Sequence, residues 1–136
     1  MGQMIQNFRL FETGPDPFGR TWQVEFRWLQ TGISIRHADT VDVKFEVAIF
    51  EVATQDELKA EEPKQERVIA LRHPDLLALS KSTGHALTDP WCMKLAGSHL
   101  EHMILSGEDI EKTLVTVSAA DLSRYAAQLA APVAVV

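Results

Sequence analysis

The hydrophobic periods along the chain predict an α+β fold. An antiparallel β-sheet of about four to five strands comes from the N-terminal half, and about three helices of the C-terminal half pack on one face of it. Three observations carry this. Trp22, Val24, Phe26 and Trp28 alternate with Gln23, Glu25 and Arg27. Val41, Val43, Phe45, Val47 and Ile49 alternate with polar Asp42, Lys44 and Glu46. A period of two puts one set on each face of a strand, as in an antiparallel sheet with water on one side. From residue 73 onward the apolar period lengthens to three or four, and proline and glycine fall where helices start and stop.

The first strand is expected over Asn7 to Thr13, closed by Gly14-Pro-Asp-Pro-Phe-Gly19, a dense turn signal. The aromatic strand follows, and Thr31-Gly32 is expected to be a two-residue hairpin loop, with Ile33 and Ile35 opening the return strand. In simple register that hairpin sets His37 opposite Phe26. Residues Val41 to Ile49 form the clearest strand. Thr54 to Glu66, acidic and broken by Pro63, reads as a solvated loop or a frayed helical turn. Arg67 to Arg72 makes another short strand. Pro74 suits the first turn of a helix that Gly84 ends. Thr88 or Asp89 caps a long helix that Gly107 stops. Thr113 to Val117 is β-branched and is expected at a sheet edge. Ser118-x-x-Asp121 resembles a capping box and opens a last helix through Ala131, with Leu122, Tyr125, Ala126 and Leu129 as its apolar stripe. Pro132 ends that helix and leaves a small apolar tail, Val133-Ala-Val-Val136.

Composition bounds the function. The 136 residues have no internal repeat or linker and read as a single domain, 1–136. Nineteen acidic against thirteen basic residues give a net charge of −6 with no basic run, which argues against binding nucleic-acid backbones. A single cysteine makes no intrachain disulfide. The N-terminal residues lack a signal-peptide pattern, and Gln6 departs from the myristoylation motif. The expectation is a cytoplasmic protein that uses neither membrane nor nucleic acid. No Gly-x-Gly-x-x-Gly, Walker A, Cys-x-x-Cys or Gly-x-Ser-x-Gly motif is present, so common nucleotide-dependent and hydrolase chemistries are disfavoured. No cofactor is implied.

What chemistry the chain offers is concentrated in Asp89 to Ser106, which holds Cys92, His99 and His102. With Trp91 at zero and about 100° per residue, Leu95, His99, Cys92, Met103 and Ala96 fall within an apolar arc, His99 at about 80°. His102 lies at the arc's edge and Glu101 on the opposite side. His99 and His102, three residues apart, could reach one metal ion. Two ligands are short of a catalytic zinc site, and the third would come from His37, His73, His85 or Asp89. Core packing for His99 is the plainer reading. Cys92 stands in the first helical turn, where the dipole favours thiolate, but its apolar neighbourhood opposes it, and His99 is about 10.5 Å further along the axis. His37, beside Phe26, Trp22 and Trp28, is a further pocket candidate. The candidate pocket residues are thus His37, Trp28, His99, His102 and Cys92, with His99 and His102 as weak metal ligands.

Two functional classes follow. One is a small binding or regulatory module acting through self-association, with a homodimer as the expected form, or through a small-molecule or protein partner. The other is a histidine-based enzyme, metal-assisted or using His as general base. A nucleic-acid-associated regulator ranks last because of the charge.

Overall fold

The computed structural model describes residue 5 and residues 7–32, 39–51 and 64–130. In chain order the elements are β1 (Leu10–Thr13), β2 (Arg20–Gly32), β3 (Thr40–Glu51), β4 (Gln65–Arg72), α1 (His73–Thr83), α2 (Asp89–Ser106), β5 (Leu114–Val117) and α3 (Ala119–Ala130). The strands form one sheet in sequential order, antiparallel throughout except between β4 and β5. A parallel neighbour cannot be reached through a hairpin, so the chain crosses over through α1 and α2 before returning as β5. Helix α2 runs beneath the sheet, touching β1 through β4, while α3 packs on α1 and α2. The arrangement is α+β, as the periods imply.

The alternation in β2 and β3 becomes a two-faced sheet. Trp22 faces Ile49, Val24 faces Val47 and Phe26 faces Phe45, and next to them Val43 meets Ile69 of β4. Val24, Val43, Phe45, Val47, Ile69 and Leu71 have no exposed surface, and they meet Leu76, Leu95, Leu100 and Ile104 from the helices. Each such side chain contributes about 1.5–3 kcal/mol by leaving water. The opposite face carries Gln23, Glu25, Lys44, Glu46 and Glu66 and has no helix over it among the described residues.

Two local expectations are corrected. The register of β2 against β3 shifts between Phe26 and Trp28, a β-bulge at Arg27. One inserted residue exchanges the faces of everything after it. Leu29 therefore takes the helix side, paired with Val43, and Trp28 turns to the bare side opposite Lys44, 38% exposed. Nor is Thr31-Gly32 a hairpin loop. Both residues lie within β2, paired with Val41 and Thr40, and the strand opposite Phe26 contributes Phe45 rather than His37. The expected return strand at Ile33 and Ile35 lies outside the described residues, as do most of the Thr54–Glu66 loop and the Val133–Val136 tail; Gln65 and Glu66 already belong to β4.

The helix punctuation is as read. The Thr88 side chain accepts from the Trp91 N–H, and Pro90 sits in the first turn. Gly84 and Gly107 close α1 and α2 at φ 74° and 80°, the left-handed region that a side chain disfavours. Ser118 Oγ accepts from the Asp121 N–H at the start of α3. The buried arc of α2 is wider than the angles alone require. Gly97 is buried too, because the Phe8 ring lies where a Cβ would stand, 2.6 Å away. Glu101, expected in water, is half-buried, and burial raises its pKa.

Candidate functional site

His99 leaves α2 toward α3 and is 7% exposed. Its Nδ1 is 2.7 Å from Tyr125 Oη, and the two rings meet edge-on with centroids 5.6 Å apart. Arg124, the neighbouring residue on α3, donates to the same Oη at 3.2 Å and pairs with Asp121 at 3.1 Å. A guanidinium only donates, so Oη accepts from Arg124, and toward Nδ1 it donates or accepts according to the tautomer of His99. In the neutral tautomer protonated at Nδ1, that N–H donates to Oη and the Nε2 lone pair is free. Burial lowers the pKa of this imidazole and is the largest influence on it; the negative charges of Asp121 and Glu108 act the other way. Burial likewise raises the Tyr125 phenol, against the pull of Arg124.

His102 stands at the rim, as its angle implies. Its ring centre is 6.2 Å from that of His99, and its Nε2 is 3.5 Å from Glu108 in the segment after α2. The structure therefore brings His99 and His102 together with Tyr125, Arg124, Asp121 and Glu108. Chemically, this is a buried neutral imidazole connected through a phenol to a surface guanidinium. With its proton on Nδ1 it can accept a proton at Nε2.

The other expected residues do not join it. Cys92 is a buried free thiol, and burial, with the charge of Asp89, raises its pKa to about 11, so the reactive thiolate is scarce. Trp28 is on the bare face of the sheet, with Lys44 Nζ 5.4 Å from its ring centre. His37 lies outside the described residues. Among the described residues no three His, Cys, Asp or Glu side chains are placed to hold a metal ion, so His99 and His102 gain no third ligand there. His85 instead stacks on Trp91 at 4.5 Å.

Sequence reasoning missed a second polar cluster. Asp16, 4% exposed, sits in the proline-rich turn. Its Oδ1 accepts from the backbone N–H groups of Phe18 and Arg20, and its Oδ2 from Arg20 Nε and Trp22 Nε1, all within 2.8–2.9 Å. Burial alone would raise this carboxyl's pKa, but the four donors outweigh it and the pKa is lowered. Arg67 lies nearby, its guanidinium 5.4 Å from the Trp22 ring centre and bonded to the carbonyls of Ile110 and Glu66. The signal was present, since an Asp in a tight turn seeks backbone N–H groups. The long-range partner Trp22 was not visible in it.

On the bare face, Leu10, Gln23, Glu25, Glu46, Ala48 and Lys64 line a pocket of about 230 Å³. No helix in the described chain is long and apolar enough to cross a membrane. No family model matches this chain, and neither a curated protein nor a solved structure is significantly similar to it.

Proposed function

We propose that this protein is a small binding module that works through the helix-free side of its sheet, with a second copy of itself as partner. The observation that carries this reading is Trp28, which the bulge turns out of the core. It stands at one end of a cross-strand row, Trp28–Lys44–Val68–Leu114, whose other end, Leu114, is 60% exposed. Trp22 and Trp91 are buried at 1% and 4%, so placing the third tryptophan in water is a local exception within this chain. Exposed aromatic and aliphatic side chains beside charged ones fit an interface with an apolar centre and a polar rim. Sedimentation velocity over a range of micromolar concentrations tests it. Self-association that weakens in Trp28→Glu supports the reading, and a clean monomer throughout removes it.

A second reading rests on the 2.7 Å contact between His99 and Tyr125. A buried imidazole oriented by a phenol has the form of a general base, and His102 at the rim marks where a ligand would enter. Elemental analysis of untagged protein tests its metal-assisted version, which stoichiometric zinc, iron or nickel would support and their absence would end.

A further inference from the structure

Strands β1 and β2 differ greatly in length. β1 pairs with β2 only from Trp22 to Glu25, and one further bond joins the Phe26 N–H to the Arg9 carbonyl at 2.8 Å. At Phe8 and Arg9 the chain turns, and the Phe8 ring lies against Gly97 of α2. β2 nevertheless continues to Gly32, paired all the way with β3 on its other side. Among the described residues, no strand lies along the outward edge of β2 beyond Phe26.

The direction of the main-chain groups on that edge follows from the ladder. Asp39 O accepts from the His73 N–H on the β4 side, so odd-numbered residues of β3 bond toward β4 and even-numbered ones toward β2. Lys44 and Asp42 therefore exchange bonds with Trp28 and Gln30. Leu29 and Thr31 turn their N–H and C=O groups outward. The apolar surface at this edge is also incompletely covered. Phe26 and Leu29 face the helices yet are only partly buried, and Trp28 is exposed on the other face.

We infer that a second copy of this chain pairs antiparallel along this edge, from Trp28 to Gly32, and joins the two sheets into one. The inference rests on the self-association proposed above and places it at the β2 edge, at the Trp28 end of that row rather than over the whole face. A two-fold axis through Gln30 sets Leu29 of each copy opposite Thr31 of the other in reciprocal main-chain hydrogen bonds. It places the two Gln30 amides side by side and the bulky Trp28 opposite Gly32. The segment has no charged residue, so self-pairing brings no like charges together, and large meets small at both ends. Edge-to-edge addition of this kind satisfies exposed main-chain groups while side chains fix the register.

Thr31→Pro tests it. Proline removes an outward N–H but none bonded to β3, so the strand itself tolerates it. The expected result is dimeric wild-type protein and an association constant lowered by an order of magnitude or more in Thr31→Pro, with circular dichroism unchanged. Should Thr31→Pro fail to fold, amide exchange in the wild type decides. The Leu29 and Thr31 amides should become protected as concentration rises, while the Gln30 amide is protected throughout. A dimer that survives Thr31→Pro, or that dissociates instead on Thr116→Pro in the opposite edge strand β5, overturns the inference and leaves self-association standing. A wild-type monomer overturns both.

Discussion

Asp16 and His99 are almost equally buried, 4% and 7% exposed, yet their surroundings treat them in opposite ways. Around Asp16 four donors converge on two carboxylate oxygens, and Arg20 supplies a matching charge. The group stays ionised because every lone pair that needs a partner has one. Around His99 the structure provides one hydrogen bond, through Tyr125, and leaves the ring only 7% exposed. That group is kept neutral by desolvation. Burial alone thus does not separate a structural polar group from a chemically available one. The number of satisfied atoms does. Asp16 locks the turn that starts β2, whereas His99 keeps Nε2 available.

If Asp16 is the lock, removing it should be the most costly change in the molecule's polar interior. Asp16→Ala strands the buried Trp22 donor and removes the partner of the Arg20 guanidinium, and it should lower stability by about 3 kcal/mol, near 10 °C in Tm. Thermal unfolding by circular dichroism measures this. Asp16→Asn is a sharper form of the same test. An amide can keep one oxygen for the Phe18 and Arg20 N–H groups, but its NH2 then confronts the donors on Trp22 and Arg20. It should recover little of the loss. Arg67→Met ranks next. It leaves the Ile110 and Glu66 carbonyls without their guanidinium donors, at about 2 kcal/mol, read from urea midpoints at constant m-value.

These two clusters also mark how far the sequence can be read. Strand alternation and helix caps are local, so the sheet faces, the Gly84 and Gly107 stops and the Thr88 cap were all legible. The burial of His99 was legible for the same reason, because a helix fixes the angle between Trp91 and His99. The bulge at Arg27 was not, since an extra residue is defined only against the strand it fails to match. It alone moved Trp28 from core to surface. Nor could the sequence join Tyr125 to His99, or Trp22 to Asp16. Tyr125 was read correctly as part of an apolar stripe, but its hydroxyl partner depends on how α3 lies across α2. In each case the missing information was the relation between two elements.

On the His99 side the expected effects are smaller. Tyr125→Phe keeps the ring in the α2–α3 contact and removes only the hydroxyl. His99 Nδ1 then loses its partner in a buried setting, and stability should fall by about 1 kcal/mol in urea denaturation. A loss as large as that for Asp16→Ala would make the phenol a structural lock as well, and the contrast between the clusters would be broken.

The smallest effect is a pH slope, and its sign distinguishes the two groups by where it occurs. His99 has a folded pKa below the ordinary 6.5, so between the two values the unfolded chain binds more protons than the folded one. Stability from His99 is therefore complete above about 6.5 and is lost as pH falls below it, at no more than about 1.4 kcal/mol per pH unit. Asp16 behaves as a lowered carboxylate. Its contribution is complete above 3.8 and is lost as pH falls below that value. Urea denaturation of the wild type and His99→Gln between pH 7 and 5 isolates the first window, because the Asp16 window lies lower. The wild type should lose stability more steeply than the variant across this range. Equal slopes would mean that folding leaves His99 as free to take a proton as the unfolded chain does, and the neutral imidazole bonded to Tyr125 would have to be abandoned.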